Sequence, residues 1–353
     1  MKKLSRREFI SRSSTAVIGT GIAIREGRAA PRVPGKESRV VEVFHPRAVD
    51  DDRAVDTAAV QTMLDRGMRR LTGSDSPWAG FLEPSDRVGL KINCLGRPML
   101  YTHKELIKAV ADDLIEFGIK PNNIIVWDRW QHHMKACGFE MNTTPEGVRC
   151  YGSEDPRDKS VDRMDPDVLF KSDFDYAEER QGGTASRFSK IFTQECDKVI
   201  NMALLKDHGL SGVTLTLKNL AFGLCDNNNR FHRADHIGRF IADFCAEPLV
   251  REKVVLHMID GLEGCYDKGP VPETRRVMFT PRKLWLGLDP VALDALGFRV
   301  IEEERARRGL PPLAESPSYY EVPRPVDHIM LAAKNGLGTE DLDKIEVEKL
   351  NLA

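Results

Sequence analysis

The seven cysteines of this 353-residue chain form none of the pairs that usually hold a metal cluster. They are widely and irregularly spaced, and no two of them stand in a CxxC arrangement. This pattern argues against a structural zinc knuckle and against a ferredoxin-type iron–sulfur cluster. We expect most of these cysteines to be small, buried apolar residues.

The chain also lacks a strong net charge and, beyond residue 30, a long apolar run. Its formal net charge is −2 at pH 7, so no overall basic field attracts nucleic acid. No later run approaches the roughly 18 apolar residues that a membrane-spanning helix needs, so we expect no membrane span after the first 30 residues. Hydrophobic residues make up 41% and charged residues 30% of the chain, which is ordinary for a globular protein.

The first 30 residues have the layout of an export leader. The pair Arg6–Arg7 precedes Phe9, a weakly apolar stretch covers residues 13–24, and small residues follow within 27–30. Basic, apolar and small segments in this order are typical of a secretory signal, and the arginine pair resembles twin-arginine signals, which a receptor reads as an address. We therefore predict a signal peptide over residues 1–30, a linker over residues 31–38, and a periplasmic or extracellular protein that the twin-arginine translocation machinery exports already folded. The alternative is a chance arginine pair in a disordered tail.

Apolar periodicity beyond the leader predicts alternating strands and helices. Residues 86–93 and 124–128 are predicted strands, and apolar positions at helical spacing between them predict a helix over residues 104–117. A strand, a helix and a second strand joined by short turns are typical of a parallel βαβ unit. Further strands are predicted at 39–44, 198–206, 254–260 and 283–288, and further helices at 52–71 and 290–307.

These elements predict an α/β fold with a mostly parallel, Rossmann-like sheet flanked by helices. The length allows one large domain or two closely packed α/β lobes, which we place at residues 39–335. Residues 151–183 are rich in Asp, Arg, Ser and Pro with little periodicity, and are predicted to form an irregular insert or lid. Residues 336–353 are predicted to be a C-terminal tail.

Polar residues follow four of the predicted strands at the point where each ends, namely Asn93, Asp128, Lys206 and Asp260. In open α/β sheets, ligands bind beyond the carboxyl ends of the strands, so a site is expected there. Asp128 and Asp260 are the candidate catalytic residues, because a carboxylate can orient a substrate or take up a proton. Asp260 also begins a loop of glycines and acids over residues 260–270, which could bind a cation or merely turn the chain.

The run from Lys206 to Asn219 is the main candidate for binding an anion. Two glycines and a serine follow a predicted strand, and Thr214 begins a segment whose leucines suit a helix. A helix that starts after a Gly-rich turn presents free backbone N–H groups. The run is not a P-loop pattern, so it does not indicate a nucleotide, and a plain turn with solvated lysines is the alternative. The candidate anion- or cofactor-binding residues are Lys91, Asn93, Lys206, Ser211, Thr214, Lys218 and Asn219.

Three histidines are candidate metal ligands. His232 and His236 are four residues apart, so on a helix they would share one face, and two imidazoles at that spacing can chelate a divalent ion. His208 is the candidate third ligand, with Asp260 as an alternative. One buried, hydrogen-bonded histidine and one surface histidine would explain the same spacing without a metal. The pair at 132–133 could line the same cleft or lie at the surface.

Several motifs, in order, resemble one bacterial and archaeal family, the domain of unknown function family 362. They are a strand ending in Lys91-x-Asn93 with Thr102 opening the next helix, the core Lys206-x-His208 … Thr214 … Lys218-Asn219-Leu220, the pair Asp260-Gly261 … Gly269-Pro270, and the closing motif Gly287-Leu288-Asp289-Pro290-Val291-Ala292-Leu293-Asp294. The resemblance covers about residues 40–335. Some members of the family carry ferredoxin-like cysteine clusters, which this chain lacks.

The family is remotely similar to the catalytic domain of lactate-racemase-type enzymes, which hold a nickel-bearing cofactor through histidines and lysines. The resemblance therefore implies an enzyme that depends on a divalent metal or a metal-bearing cofactor and acts on a small anionic substrate. Proton or hydride movement at a 2-hydroxy acid is the specific expectation. The alternatives are a non-catalytic protein that captures an anion or a cofactor for a periplasmic redox system, and a structural accessory that contacts another exported subunit.

Overall fold

A computed structural model describes residues 37–172, 185–233, 236–316 and 324–353. The predicted signal peptide and nearly all of the predicted linker lie outside these ranges, as does part of the predicted insert. Among the described helices, none combines the length and the apolar character that crossing a bilayer requires.

Ten of the described strands form one mixed sheet, and two more form a small separate sheet. The strands are β1 (Ser38–Phe44), β2 (Val88–Lys91), β3 (Ile124–Trp127), β4 (Arg149–Cys150), β5 (Met164–Phe170), β6 (Ser186–Ser189), β7 (Lys198–His208), β8 (Gly212–Thr214), β9 (Val254–Cys265), β10 (Met278–Phe279), β11 (Lys283–Gly287) and β12 (Ile345–Asn351). The large sheet has the order β12-β1-β11-β9-β7-β2-β3-β4, with β8 paired to β7 and β10 paired to β9.

Most strands of the large sheet run in one direction. β7 pairs in parallel with both β2 and β9, and the pairings of β2 with β3, β3 with β4 and β1 with β12 are also parallel. β11 lies antiparallel between β1 and β9, and the short strands β8 and β10 form antiparallel hairpins. This topology confirms the predicted α/β fold with a mostly parallel sheet, and it forms a single domain.

Helices cover both faces of the large sheet. They are α1 (Thr57–Thr72), α2 (Lys104–Phe117), α3 (Gln131–Ala136), α4 (Thr216–Ala221), α5 (Ile237–Cys245), α6 (Pro248–Lys253), α7 (Pro290–Arg307) and α8 (Asp327–Lys334). Successive residues of a strand point to opposite faces, so Val40 belongs to one apolar core and Val41 to the other. Met63 of α1 packs in the core that contains Val41, and Phe240 of α5 packs in the core that contains Val40.

Local capping explains why several helix boundaries were predictable. The side chain of Asp289 accepts hydrogen bonds from Val291 N at 2.8 Å and Ala292 N at 2.9 Å, and proline occupies the first position of α7, as at many helix starts. α2 ends before Gly118, whose φ of 112° suits a left-handed C-cap. Both helices have the predicted bounds. α1 begins at residue 57 rather than 52 because Asp56 is its N-cap.

Two segments differ from their prediction. Residues 336–353 were predicted to be a tail, but β12 pairs in parallel along the whole length of β1, and Ile345 is buried. The alternation of apolar and polar residues in β12 suits an edge strand with one buried face. The predicted insert contains β5 in its described part, and β5 pairs with β6 in the small antiparallel sheet.

The seven cysteines are free thiols, six of them buried. Burial raises the pKa of Cys196 and of Cys225 to about 12, so both are protonated at neutral pH. These findings confirm the expectation that most cysteines are buried apolar residues.

Candidate functional site

A cavity of about 250 Å³ lies at the carboxyl ends of β2, β3 and β7. This is the edge of an open α/β sheet at which ligands bind. Eight of the twelve predicted site residues line the cavity, namely Lys91, Asn93, Asp128, His208, Thr214, Lys218, Asn219 and His232. The other four do not, namely Lys206, Ser211, His236 and Asp260.

Lys91 and Asp128 form a buried ion pair at one wall of the cavity. The two atoms Lys91 Nζ and Asp128 Oδ1 are 2.7 Å apart, and Asp128 also accepts hydrogen bonds from Cys94 N and Arg129 N, each at 2.7 Å. Burial alone would raise the pKa of Asp128, but the charge and hydrogen bond of Lys91 and the two backbone N–H groups outweigh burial and lower it. Asp128 is therefore an ionised partner of Lys91 at neutral pH, and its predicted role as a proton-accepting base stays a prediction.

A chain of amide side chains connects the strands beneath the cavity. Lys206 Nζ donates to Asn93 Oδ1 at 2.8 Å, and Asn93 Nδ2 donates to Asn219 Oδ1 at 3.0 Å. Asn219 Nδ2 then donates to Asn201 Oδ1 at 2.8 Å. The network fixes the orientations of Asn93 and Asn219. Lys206 holds Asn93 in place through the hydrogen bond from its Nζ atom. Asn201 was not among the predicted residues, because it lies in the middle of β7.

Lys218 is a buried cation that faces the cavity. Its Nζ lies 4.0 Å from the centre of the Phe222 ring, and none of the described residues accepts a hydrogen bond from it. Burial lowers the pKa of Lys218 to about 7, and repulsion from Lys206 adds to the effect. Within the described ranges, no carboxylate offsets these two effects, so the charged form of Lys218 lacks a counter-ion there.

The start of α4 is not the free anion site that the sequence predicted. Asp294 of α7 accepts hydrogen bonds from Thr216 N at 2.7 Å and Leu217 N at 3.1 Å, so a carboxylate of the protein already occupies this helix end. Thr214, which we expected to begin the helix, belongs to β8 instead. Its hydroxyl is buried and has no hydrogen-bond partner among the described residues.

His208 and His232 both line the cavity, and their rings contact each other. Their Nε2 atoms are 3.4 Å apart, and His208 Nδ1 accepts hydrogen bonds from Leu210 N at 3.0 Å and Ser211 N at 3.2 Å. A neutral imidazole whose Nδ1 is an acceptor carries its proton on Nε2, so His208 presents an N–H group to His232. Ser211 has a turn-forming role, since its hydroxyl donates to Val213 O at 2.9 Å.

Both rings of this histidine pair are neutral at pH 7. Burial lowers the pKa of His208 well below its usual value, and repulsion from Lys218 and His232 lowers it further. Burial and Lys218 likewise lower the pKa of His232 to about 3. The unprotonated nitrogen of a neutral imidazole can take up a proton from a ligand.

His236 does not join the pair, which corrects the prediction that His232 and His236 share a helix face. His232 follows a 3₁₀ turn over Asn229–Phe231, and His236 precedes α5. The two residues therefore do not lie on a common helix. Across the described part of the chain, no group of three or more His, Cys, Asp or Glu side chains is arranged to hold a metal.

Asp260 also lies outside the cavity, in a buried pair with His103. Its Oδ2 is 2.8 Å from His103 Nδ1 and accepts a hydrogen bond from His103 N at 2.8 Å. Burial alone would lower the pKa of His103, but Asp260 and then Glu263 outweigh burial and raise it to about 10. His103 is therefore a charged structural partner of Asp260, and Asp260 is not placed to act on a ligand in the cavity.

Several lining residues were not among the candidate site residues. Arg129 forms an ion pair with Glu154 and donates to Asn228 Oδ1 at 2.6 Å, while its guanidinium lies 4.2 Å from the centre of the Trp130 ring. His133 is buried and also lines the cavity. Arg129, Trp130 and His133 follow β3 within a few residues, which is the position at which the sequence predicts a site, and the pair at 132–133 was expected either to line this cleft or to lie at the surface.

The comparison with solved structures found a similar chain. It is the crystal structure of a protein from Thermotoga maritima, a target of the Northeast Structural Genomics Consortium, with 13% sequence identity and a TM-score of 0.40. The similarity covers 72% of this chain, and this chain spans 60% of the length of that one. No curated protein matches the sequence. The remote similarity to lactate-racemase-type domains stays a prediction.

A family match covers the middle of the chain. Residues 88–299 match the family described as Domain of unknown function (DUF362), a narrower range than the 40–335 that the motifs indicated. Every residue that lines the cavity lies within the matched range. Because this match spans more than half of the sequence, the chain belongs to the DUF362 family.

Proposed function

We propose that the protein binds a small anion in this cavity and acts on it as an enzyme that moves a proton. The observation that carries the proposal is Lys218, a buried cation that faces the cavity and has neither a carboxylate partner nor a hydrogen-bond acceptor among the described residues. A buried charge without a partner is costly. An anionic group of a ligand beside Lys218 would remove most of this cost.

The other charged groups around the cavity already have partners. Lys91 pairs with Asp128, and Arg129 pairs with Glu154. Because the charges within each pair cancel, Lys218 is the uncompensated cation among the described residues that line the cavity. The buried Lys206 beneath the cavity, whose Nζ donates to Asn93 Oδ1, adds to the positive potential there. An anion therefore suits the site better than a neutral or a cationic ligand.

Two neutral groups supply further hydrogen bonds for an anion. Thr214 Oγ1 is buried at the cavity without a partner among the described residues, and leaving such a hydroxyl unpaired costs about 1–3 kcal/mol. His208 Nε2 carries a proton, and its contact with His232 is long at 3.4 Å. Both groups would donate to an oxygen of a carboxylate or a sulfate held by Lys218.

The histidine pair supports the catalytic part of the proposal. A neutral imidazole can accept a proton at one nitrogen while the other donates, which suits general acid–base catalysis. His232 is half-buried, so it can exchange its proton with solvent. A bound anion would offset the repulsion from Lys218 and raise the pKa of both rings towards the neutral range, where proton transfer is most effective.

The residues of the cavity do not fit the predicted three-histidine metal centre. The 3.4 Å between the Nε2 atoms of His208 and His232 suits two ligands of one tetrahedral ion. However, a metal-bound histidine normally donates its other ring N–H, whereas Nδ1 of His208 accepts two backbone N–H groups. His236 does not line the cavity. The proposed function therefore has no step that involves a metal or a metal-bearing cofactor. Elemental analysis of the exported protein tests the predicted metal centre.

We also propose that the protein works outside the cytoplasmic membrane, on the strength of the leader-like order of residues 1–30. Export by the twin-arginine route depends on the arginine pair being read as an address. Cell fractionation of the full chain and of an Arg6→Lys/Arg7→Lys variant tests this proposal. We expect the variant to stay in the cytoplasm, and equal export of both proteins would overturn it.

Titration calorimetry with sulfate tests anion binding, because the charge of sulfate does not change near neutral pH. We expect Lys218→Met to weaken sulfate binding at least tenfold, about 1.4 kcal/mol, and the matched variant of the exposed Lys159, Lys159→Met, to bind as the parent does. Equal binding by Lys218→Met would refute the proposal. Solvent deuterium exchange into a panel of small carboxylic acids tests proton transfer, and binding without exchange would favour the non-catalytic alternative.

A further inference from the structure

We propose that Lys218 is a nucleophile that forms an imine with the carbonyl carbon of a small 2-oxo carboxylate. This inference rests on the proposed function, because the cavity must first bind the carboxylate. It adds the class of substrate and the protein atom that reacts.

Three buried lysines lie in or beneath the cavity, and two of them are held by hydrogen bonds. Lys91 Nζ donates to Asp128 Oδ1 at 2.7 Å, and Lys206 Nζ donates to Asn93 Oδ1 at 2.8 Å. Lys218 Nζ has no acceptor among the described residues and borders the cavity. The ion pair with Asp128 engages the Nζ atom of Lys91, so Lys91 is excluded, and Lys206 does not line the cavity.

The surroundings of Lys218 favour the neutral amine that nucleophilic attack requires. Nζ lies over the Phe222 ring and is shielded from water, since Lys218 is only 3% exposed. Burial and the nearby charge of Lys206 lower its pKa to about 7, so a large fraction of the amine is unprotonated at neutral pH. Removal from water next to a second cation is one of the established ways in which proteins activate a lysine.

The hydrogen-bond donors around Lys218 specify the rest of the substrate. If the amine of Lys218 bonds to a carbonyl carbon, the anionic group must be held by other donors, and Thr214 Oγ1 and His208 Nε2 are both available at the same cavity. A carboxylate directly bonded to the carbonyl carbon keeps the two groups close enough for one small cavity. The positive charge of the protonated imine replaces that of the ammonium, so attraction to the carboxylate persists after the reaction.

The reaction balances with water as the other product. The lone pair of Lys218 Nζ attacks the carbonyl carbon, and the carbonyl oxygen takes up a proton to give a carbinolamine. The C–O bond then breaks, and the oxygen leaves as water with the two protons that the amine gave up. The neutral imine that remains takes up one proton from solvent to become the protonated imine. His208 and His232 are placed to carry these protons, because their Nε2 atoms are 3.4 Å apart and both rings are neutral. No oxidant or reductant takes part.

Borohydride trapping with pyruvate as the probe tests the inference on the folded protein. Borohydride reduces an imine to a stable secondary amine, so we expect the protein mass to increase by that of pyruvic acid less one oxygen atom. Peptide mapping should place the adduct on Lys218, and Lys218→Met should lose it. Lys159→Met should keep it, because Lys159 is exposed. Acetone, which has the carbonyl without the carboxylate, should give at least tenfold less adduct.

The outcomes separate this inference from the proposed function. Calorimetry with pyruvate, run alongside the trapping, reports binding independently of imine formation. If pyruvate binds in a Lys218-dependent manner but no adduct forms on Lys218, the nucleophile inference is wrong and the anion site stands. If the adduct is spread over exposed lysines, the inference is also wrong. If neither binding nor an adduct depends on Lys218, the inference and the proposed function fail together.

Discussion

Lys218 Nζ and the Phe222 ring lie four residues apart in sequence and 4.0 Å apart in space, so the cation is covered by an aromatic face and not by a carboxylate. A cation over an aromatic ring gains about 0.5–2 kcal/mol, which is less than the cost of burying the charge. Phe222 therefore positions the ammonium without neutralising it. The positive charge of Lys218 is therefore available to an anionic ligand in the cavity.

Lys218→Met should stabilise the protein. Methionine keeps the length of the side chain and can contact Phe222 through its sulfur, while the buried charge is removed. We expect the free energy of unfolding in urea at pH 7 to rise by about 2–4 kcal/mol. A fall in stability would show that Lys218 has a partner that neutralises it, and Lys159→Met should change stability little.

The stability of the parent protein should rise with pH where Lys218 titrates. Its pKa is about 7 in the folded state and 10.5 as a model value for the unfolded chain, so the unfolded state binds more protons between these values. Stability from this group therefore increases from about pH 7 to about pH 10.5. Subtracting the urea-unfolding curve of Lys218→Met isolates this contribution, and a difference that is independent of pH would contradict the assigned pKa.

Sulfate affinity should fall as the pH rises above about 7. Below that pH Lys218 is charged before sulfate arrives, whereas above it each binding event must draw a proton from solvent. We expect a loss of up to about tenfold in affinity per pH unit, together with proton uptake detected by calorimetry in buffers of different ionisation enthalpy. Affinity that stays constant across this range would mean that another group holds the anion.

Asp260→Asn should destabilise the protein without weakening sulfate binding. Removing one partner of a buried ion pair costs about 3–5 kcal/mol, and here it leaves the charged His103 uncompensated. Because the pKa of His103 is raised from 6.5 to about 10, the pair stabilises the fold fully below about pH 6.5 and loses this effect as the pH rises through about 10. The difference in the free energy of unfolding between the parent protein and Asp260→Asn should therefore become smaller as the pH rises from 6.5 to about 10. If folded Asp260→Asn binds sulfate more weakly than the parent protein, Asp260 takes part in the anion site and this assignment is wrong.

Two substitutions of His208 should separate its structural and chemical roles. His208→Asn keeps an acceptor for Leu210 N and Ser211 N but loses the N–H that faces His232, whereas His208→Ala loses both. We expect both variants to lose deuterium exchange into the substrate, and only His208→Ala to lose about 1–3 kcal/mol of stability. Full exchange activity in His208→Asn would remove the histidine pair from the mechanism.

Local signals made much of the fold predictable. The bounds of α2 and α7 follow from their apolar spacing, from Gly118 and from the Asp289 cap, all of which lie within the helix or next to it. The edge of the sheet that holds the cavity was also predictable, because polar residues follow β2, β3 and β7 and parallel strands end at the same edge. Of the four strand-end residues that this rule selected, Asn93 and Asp128 line the cavity, whereas Lys206 and Asp260 do not.

Contacts between distant residues could not be predicted in the same way. Asp294 reaches the start of α4 across 78 residues, and Asp260 binds His103 across 157 residues. Neither pairing leaves a local pattern, although each changes the role of a predicted residue. The separation of His232 from His236 has another cause. His232 follows the 3₁₀ turn Asn229–Phe231 and α5 begins only at Ile237, whereas the four-residue spacing alone suggested one helix.

The titration of the Lys218 side chain by NMR, followed at its ε-carbon with and without sulfate, tests the central claim most directly. We expect a pKa near 7 in the free protein and a rise of about one unit or more when sulfate is bound. A pKa near the ordinary value for lysine that sulfate does not change would contradict it.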